Sequence, residues 1–184
     1  MNSGNANEAL YKNFEIGKMI IKLLVEILIL WVWFVLYMEI IVRKRGPVGG
    51  IFFYPKVMQE RVKELGLITE EEFRRRKKFA YILLIAGDIL IPLIMIVFVN
   101  KAGTYFECVW QYYILFLGME FYDWLAVDTI WVAKSSWWII PGTEDLLDTW
   151  HSTKIKAFKM PKLVILSIPI AMIVGGICYL AVLM

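Results

Sequence analysis

Apolar residues gather into four long stretches, 23–42, 79–99, 105–132 and 163–183, separated by polar connections at 43–78 and 133–162. An α-helix needs about 20 mainly apolar residues to cross the lipid hydrocarbon core, and each stretch reaches roughly that length. The 105–132 stretch is long enough to tilt or to protrude. The pattern predicts an all-α polytopic membrane protein. Its expected form is a single membrane domain over residues 1–184, a four-transmembrane-helix bundle with short amphipathic cytosolic helices. No small-residue cleavage site follows the first stretch, so it is expected to remain as a span and not to act as a removed signal.

The connections carry their own punctuation. In "RKRGPVGGIFFYP", Gly46, Pro47, Gly49 and Gly50 stop the first helix, and "IFFYP" is an apolar patch for the headgroup layer or the underside of the bundle. "KVMQERVKELG" predicts a short amphipathic helix with Val57, Met58, Val62 and Leu65 near one face and Gly66 as its C-terminal cap. Thr69 and Glu72 then match a capping box, and the helix begun there can run through "RRRKK" into the second span. In the second connection Trp137 and Trp138 suit the interfacial aromatic belt. Thr143 is placed to cap a short helix holding Glu144, Asp145, Asp148 and His151.

Composition agrees with the pattern. Hydrophobic residues make up 60% of the 184 residues, more apolar surface than a soluble domain of this size buries, and eight are Trp. The net charge of +3 matters less than where the charges lie. Of the 20 Lys and Arg, eleven fall in 43–78 and five in 134–162, against three before residue 23 and Lys101 between the second and third stretches. Positive charge collects on the cytoplasmic side, so both termini are expected outside a cell membrane crossed several times, with 43–78 and 133–162 in the cytosol. Arg74, Arg75, Arg76, Lys77 and Lys78 would then meet anionic lipid headgroups. Nothing points to nucleic acid.

Candidate chemistry lies in acids within the apolar stretches. Glu26 and Glu39 each have a basic residue four positions away, Lys22 and Arg43, and are expected to pair locally. Asp88, Glu120 and Asp123 do not. Asp88 lies about 14 Å into the second span, near the middle of a ~30 Å core. Glu120 and Asp123 fall near the middle of the third, with Asp128 two turns beyond Glu120 on roughly the same side. No Lys, Arg or His lies at that depth. Unpaired charges there would cost of order 10 kcal/mol together, so protonation, a bound cation, water, a cationic ligand or a partner subunit must compensate. The second and third spans are joined by a short turn and are expected to be antiparallel neighbours, bringing the four acids to one proton- or cation-binding locus. Pro92 adds the freed carbonyl of Asp88, and Gly87 and Gly118 leave room for a close helix or a water. Gly175 and Gly176, a turn after Ala171, predict a close-packing face in the fourth span.

Weaker features are Asp148 and His151, three apart on one predicted helix and at best half of a metal site. Cys108 and Cys178 lie at matching depth, but depth alone does not establish disulfide geometry. No cofactor is legible.

The stretches "RGPVGGIFFYPKVMQERVKELGLIT" and "FYDWLAVDTIW", with "IIPGTE" after them, resemble an uncharacterised group of small bacterial four-span integral membrane proteins. The resemblance covers most of residues 43–145. It implies a membrane location and the four-span architecture, and no activity. The D-x4-D spacing of Asp123 and Asp128 is faintly similar to the aspartate motifs of membrane prenyltransferases but lacks their Asn-Asp-x-x-D form.

Three functions fit these readings. One is a small transport or channel-like protein, acting as a homo-oligomer or with a partner membrane subunit because four spans are few for a pathway. Another is a membrane enzyme on a lipid-like substrate, using Asp123, Asp128, Asp148 and His151, although no complete nucleophile constellation is present. The third is an accessory or assembly subunit whose acids meet a partner's basic residue.

Overall fold

The computed structural model describes residues 3–150 and 159–184. Its main elements are α1 (Ser3–Val42), a 3-10 segment (Gly46–Phe53), α2 (Lys56–Glu64), α3 (Glu70–Ile94), α4 (Tyr105–Tyr122), α5 (Leu147–Trp150) and α6 (Lys159–Val182). Short π-helical segments extend α3 over Met95–Val99 and α4 over Asp123–Val132. The described residues contain no strand, so the all-α expectation holds.

Among the described residues three helices are long and apolar enough to cross a membrane, Asn13–Val42, Glu70–Val99 and Met160–Val182. They cover the stretches predicted as first, second and fourth spans. The first helix begins far upstream of residue 23, because nothing between Ser3 and Val42 breaks it until Gly46 and Pro47 do. The stretch at 105–132 is helical throughout but is not one of the three. Glu107, Gln111 and Glu120 dilute the apolarity of α4, and the winding changes at Asp123.

The surface is inverted relative to a soluble protein. On α1, Leu24 and Leu28 are 56% and 53% exposed, whereas Glu26 between them is 4% exposed. Ile165 and Ile173 on α6 and Phe98 beyond α3 are similarly bare. A water-soluble chain rarely exposes so continuous an apolar face, and lipid is the solvent that suits it.

The connections fold largely as their residues dictate. Gly66 takes φ +68 after α2, with its N–H bonded to Lys63 O and the Leu67 N–H to Val62 O, the paired bonds of a Schellman end. Met58 and Val62 form the buried face of α2, but Val57 and Leu65 stay exposed. Thr69 caps α3 by accepting from the Glu72 N–H, and α3 runs unbroken through the basic run. The second half of that capping box is absent: the Glu72 carboxylate accepts from Arg45 and Arg76, stronger charged donors than a backbone N–H. A full capping box forms instead at Thr104 and Glu107, opening α4. Thr143 makes no cap; it is fully buried and its hydroxyl donates to Ile140 O.

Two apolar clusters divide the interior. One joins Leu30, Met95, Cys108, Tyr112, Leu115 and Ala171 near the turn between α3 and α4. The other joins Phe34, Tyr37, Ile51, Met58, Val127 and Trp138 at the opposite end. "IFFYP" belongs to this second cluster, with Ile51 and Phe52 buried, so it packs beneath the helices. Trp138 is buried there too, contrary to the interfacial expectation, while Trp137 stays exposed. Cys108 and Cys178 are both buried and free.

Candidate functional site

The site is built from α1, α3, α4 and its π-helical extension. Gly87 and Gly118 do leave room, but α1 fills it. A Cβ at Gly87 would lie 2.2 Å from Trp33 Nε1, and one at Gly118 would lie 2.8 Å from Ile27. The Trp31 indole N–H donates to Gly118 O at 2.9 Å, and its ring stacks on Tyr122 at 4.8 Å. The first helix is therefore a wall of the site, which reading the second and third stretches as a simple antiparallel pair did not anticipate.

Asp88, Glu120, Asp123 and Asp128 line one cavity of about 240 Å³. All four are half-buried. Winding explains the presence of Asp128. In an α-helix residues five apart point about 140° away from each other. From Asp123 to Val132 the chain is π-helical, so residues five apart follow one another at roughly one turn. Thr129 Oγ1 bonds back to Trp124 O, five residues earlier, at 2.7 Å. Short π segments recur at functional sites in other proteins. Here the segment places Asp123 and Asp128 in the wall of the same cavity.

The remaining wall is aromatic and apolar, from Phe34, Tyr37, Phe53, Tyr54 and Trp138. Tyr54 donates its hydroxyl to Trp138 O at 2.9 Å, and this bond ties the 43–78 and 133–162 connections together across one end of the cavity. Burial raises the Tyr54 phenol well above its ordinary range, so it remains a donor. Asp88 Oδ1, the Tyr37 hydroxyl and Trp138 Nε1 are buried with no hydrogen-bond partner. Sequence reasoning missed Tyr37, Tyr54 and Trp138, since aromatic residues in apolar runs carry no signal that separates a cavity wall from packing.

Glu26 departs from expectation. It makes no ion pair with Lys22. Its Oε2 accepts from Asn100 Nδ2 at 3.1 Å, Asn100 also donates to Gln111 Oε1 at 2.8 Å, and Lys22 Nζ donates to Val99 O at 2.7 Å. The Glu39 and Arg43 side chains are likewise unpaired with each other; only their backbone groups bond. The first pairing loses because Asn100 and Val99 O take the two groups, whereas Glu39 and Arg43 are both exposed.

The basic run is partly neutralised by its own helix. Arg74 pairs with Glu70 and Arg76 with Glu72, each at 2.9 Å, while Lys77 lies 5.9 Å from the Phe73 and Tyr81 rings. Arg75 and Lys78 are exposed. Asp148 is exposed on α5, and His151 lies outside the described residues. Among the described residues no three His, Cys, Asp or Glu side chains are grouped closely enough to hold one metal ion. The four acids thus share a cavity wall and not one coordination sphere.

The chain matches no known protein family, no curated protein and no solved structure.

Proposed function

We propose that this is a four-span cell-membrane protein that conducts or transports protons, or a small cation that keeps part of its water, through the cavity of Asp88, Glu120, Asp123 and Asp128. One observation carries the reading: four carboxylates line a single cavity. Ionisable groups at bilayer depth are expensive to keep and mark ion or proton pathways in other membrane proteins. The cavity reaches from Asp88 and Glu120, at mid-depth, to Gly50 and Trp138 in the connections, a route from bilayer middle to inner surface. Among the described residues its lining ends at Asp88 and Glu120, and an oligomer or a partner subunit would complete the path. Purified protein reconstituted into vesicles is expected to take up protons when an inward gradient is imposed and the charge is balanced. Uptake no faster than in protein-free vesicles overturns the reading.

The orientation proposed with it places both termini outside. The Glu26, Asn100 and Gln111 cluster lies beside the 100–104 turn, at the opposite end of α1 from the basic connection, so the few outer charges stay together. Arg75 and Lys78 then remain for anionic headgroups at the inner surface. A membrane-impermeant thiol reagent added to intact cells is expected to label Gly103→Cys and to spare Glu64→Cys, both exposed positions. The native cysteines are buried and give little background. Labelling of Glu64→Cys in sealed cells reverses the orientation.

A further inference from the structure

We propose that a second cavity, beside the turn between α3 and α4, binds a phosphate ester; the site is separate from the acid-lined cavity and does not depend on its role. The space measures about 340 Å³ and lies between α1, the turn and the start of α4. Three ammonium groups stand in its wall, Lys18 and Lys22 on α1 and Lys101 in the turn. Two carboxylates stand there as well, and both are engaged. Glu15 pairs with Lys18 at 2.9 Å, and Glu107 Oε2 accepts the N–H groups of Gly103 and Thr104 at 2.7 and 3.1 Å. Lys22 gives one of its three hydrogens to a neutral acceptor, Val99 O. Among the described residues neither Lys22 nor Lys101 has a carboxylate at ion-pair distance. Lys101 also has φ +52, a left-handed backbone that glycine takes most easily and that a lysine keeps here at a cost.

A buried donor completes the set. A carboxylate only accepts, so the Asn100 atom beside Glu26 Oε2 is the amide nitrogen. The same nitrogen lies 2.8 Å from the Gln111 side chain, so the Gln111 atom facing it is the oxygen. The Gln111 NH2 is therefore turned away from Asn100, and it has no partner among the described residues. Gln111 is 7% exposed and lines the cavity. An amide N–H and ammonium groups around one space are what phosphate oxygens accept from, and the charged donors make the stronger bonds. Met19, Leu23 and Trp110 form the apolar part of the wall, which suits the organic side of an ester. A water occupies about 30 Å³ of liquid, so the space has room for a phosphate and the glycerol it is esterified to.

Two sources share this chemistry, the headgroup of an anionic phospholipid and a soluble phosphate ester. Three compounds are titrated by calorimetry into the full-length protein in detergent: dihexanoyl phosphatidylglycerol, its deacylated form glycerophosphoglycerol, and dihexanoyl phosphatidylcholine. The phosphatidylglycerol is expected to bind saturably. The phosphatidylcholine should bind at least about tenfold more weakly, because its own ammonium is set against the lysines. Lys22→Gln and Lys101→Gln are each expected to weaken binding about fivefold, the effect of one lysine near a lipid surface. Lys56→Gln, at an exposed position on α2, is expected to change nothing, which distinguishes a site from general attraction to a basic protein. Gln111→Glu keeps the oxygen that Asn100 holds and puts an acceptor where the NH2 stood, so it should weaken binding at least about tenfold. Should that variant fail to fold, Lys101→Gln at its exposed position carries the test. Glycerophosphoglycerol binding as tightly as the lipid supports the site with a soluble ester as its ligand, and much weaker binding supports it with the lipid headgroup. Absence of saturable binding of both glycerol compounds by folded protein, equal affinity for phosphatidylcholine, or equal effects of Lys56→Gln and Lys101→Gln each overturns the proposal.

Discussion

Asp123→Asn is expected to reduce proton uptake by reconstituted vesicles to the level of protein-free vesicles while leaving the protein folded. Asparagine keeps the size and one carbonyl oxygen of the aspartate but neither takes up nor releases a proton near neutral pH. Asp123 stands where α4 gives way to the π segment, between Glu120 and Asp128 in the cavity wall. A path through these acids has to pass this position. Asparagine has nearly the same volume and shape, so the packing of the wall is expected to be kept. Thermal unfolding in detergent, read alongside uptake, separates the two effects. Wild-type uptake by a normally folded variant shows that Asp123 is not on the path.

The second large effect concerns α6. Gly175→Ala is expected to destabilise the protein by roughly 1–3 kcal/mol, the usual cost of forcing volume into a filled core. A Cβ there would lie 2.7 Å from Val109 Cα and 2.9 Å from Val109 N, and backbone cannot rotate aside as a side-chain tip can. The added methyl must push α6 away from α4. Two bonds across this contact would stretch with it, Tyr105 Oη to Met172 O at 3.2 Å and Tyr113 Oη to Val164 O at 3.3 Å. Gly176→Ala is the control. Its Cβ would meet only Tyr105 Cε2 at 3.7 Å, an ordinary contact, so its unfolding temperature should stay near that of the parent chain. Equal behaviour of the two variants contradicts the packing described here.

Where one residue type has one physical consequence, the sequence was readable. Gly66 ends α2 because a left-handed residue must follow the last turn, and Thr69 caps α3 because its hydroxyl reaches the Glu72 N–H. The acids within the apolar stretches were legible for a related reason: apolar surroundings make each carboxylate conspicuous. Features set by tertiary contact were hidden. The pairing of Glu26 with Lys22 was a sound local inference that Asn100, 74 positions away, displaces. Trp138 has the chemistry of an interfacial residue, and only the arrival of Tyr54 and Trp131 beside it makes it a buried one. The role of α1 as a wall depends on Trp33 entering the space above Gly87, and neither residue announces the other.

The wide-wound stretch from Asp123 to Val132 makes the chain there sensitive to its length in a way that composition does not show. Such a stretch accommodates one residue more than an ordinary helix between the same two fixed ends. Excising a single residue, for example Ala126, would let the helix relax to regular winding while Trp131, packed on Trp138, still held the far end in place. Asp128 would then follow Asp123 by four residues, about 40° around a regular helix, and the two acids would stay on one face. The harmful change is the reverse one, regular winding with the count unchanged, which sets residues five apart about 140° from each other. In comparing this chain with others of its kind, a one-residue gap between the two acids is therefore compatible with the same wall when the helix there is regularly wound.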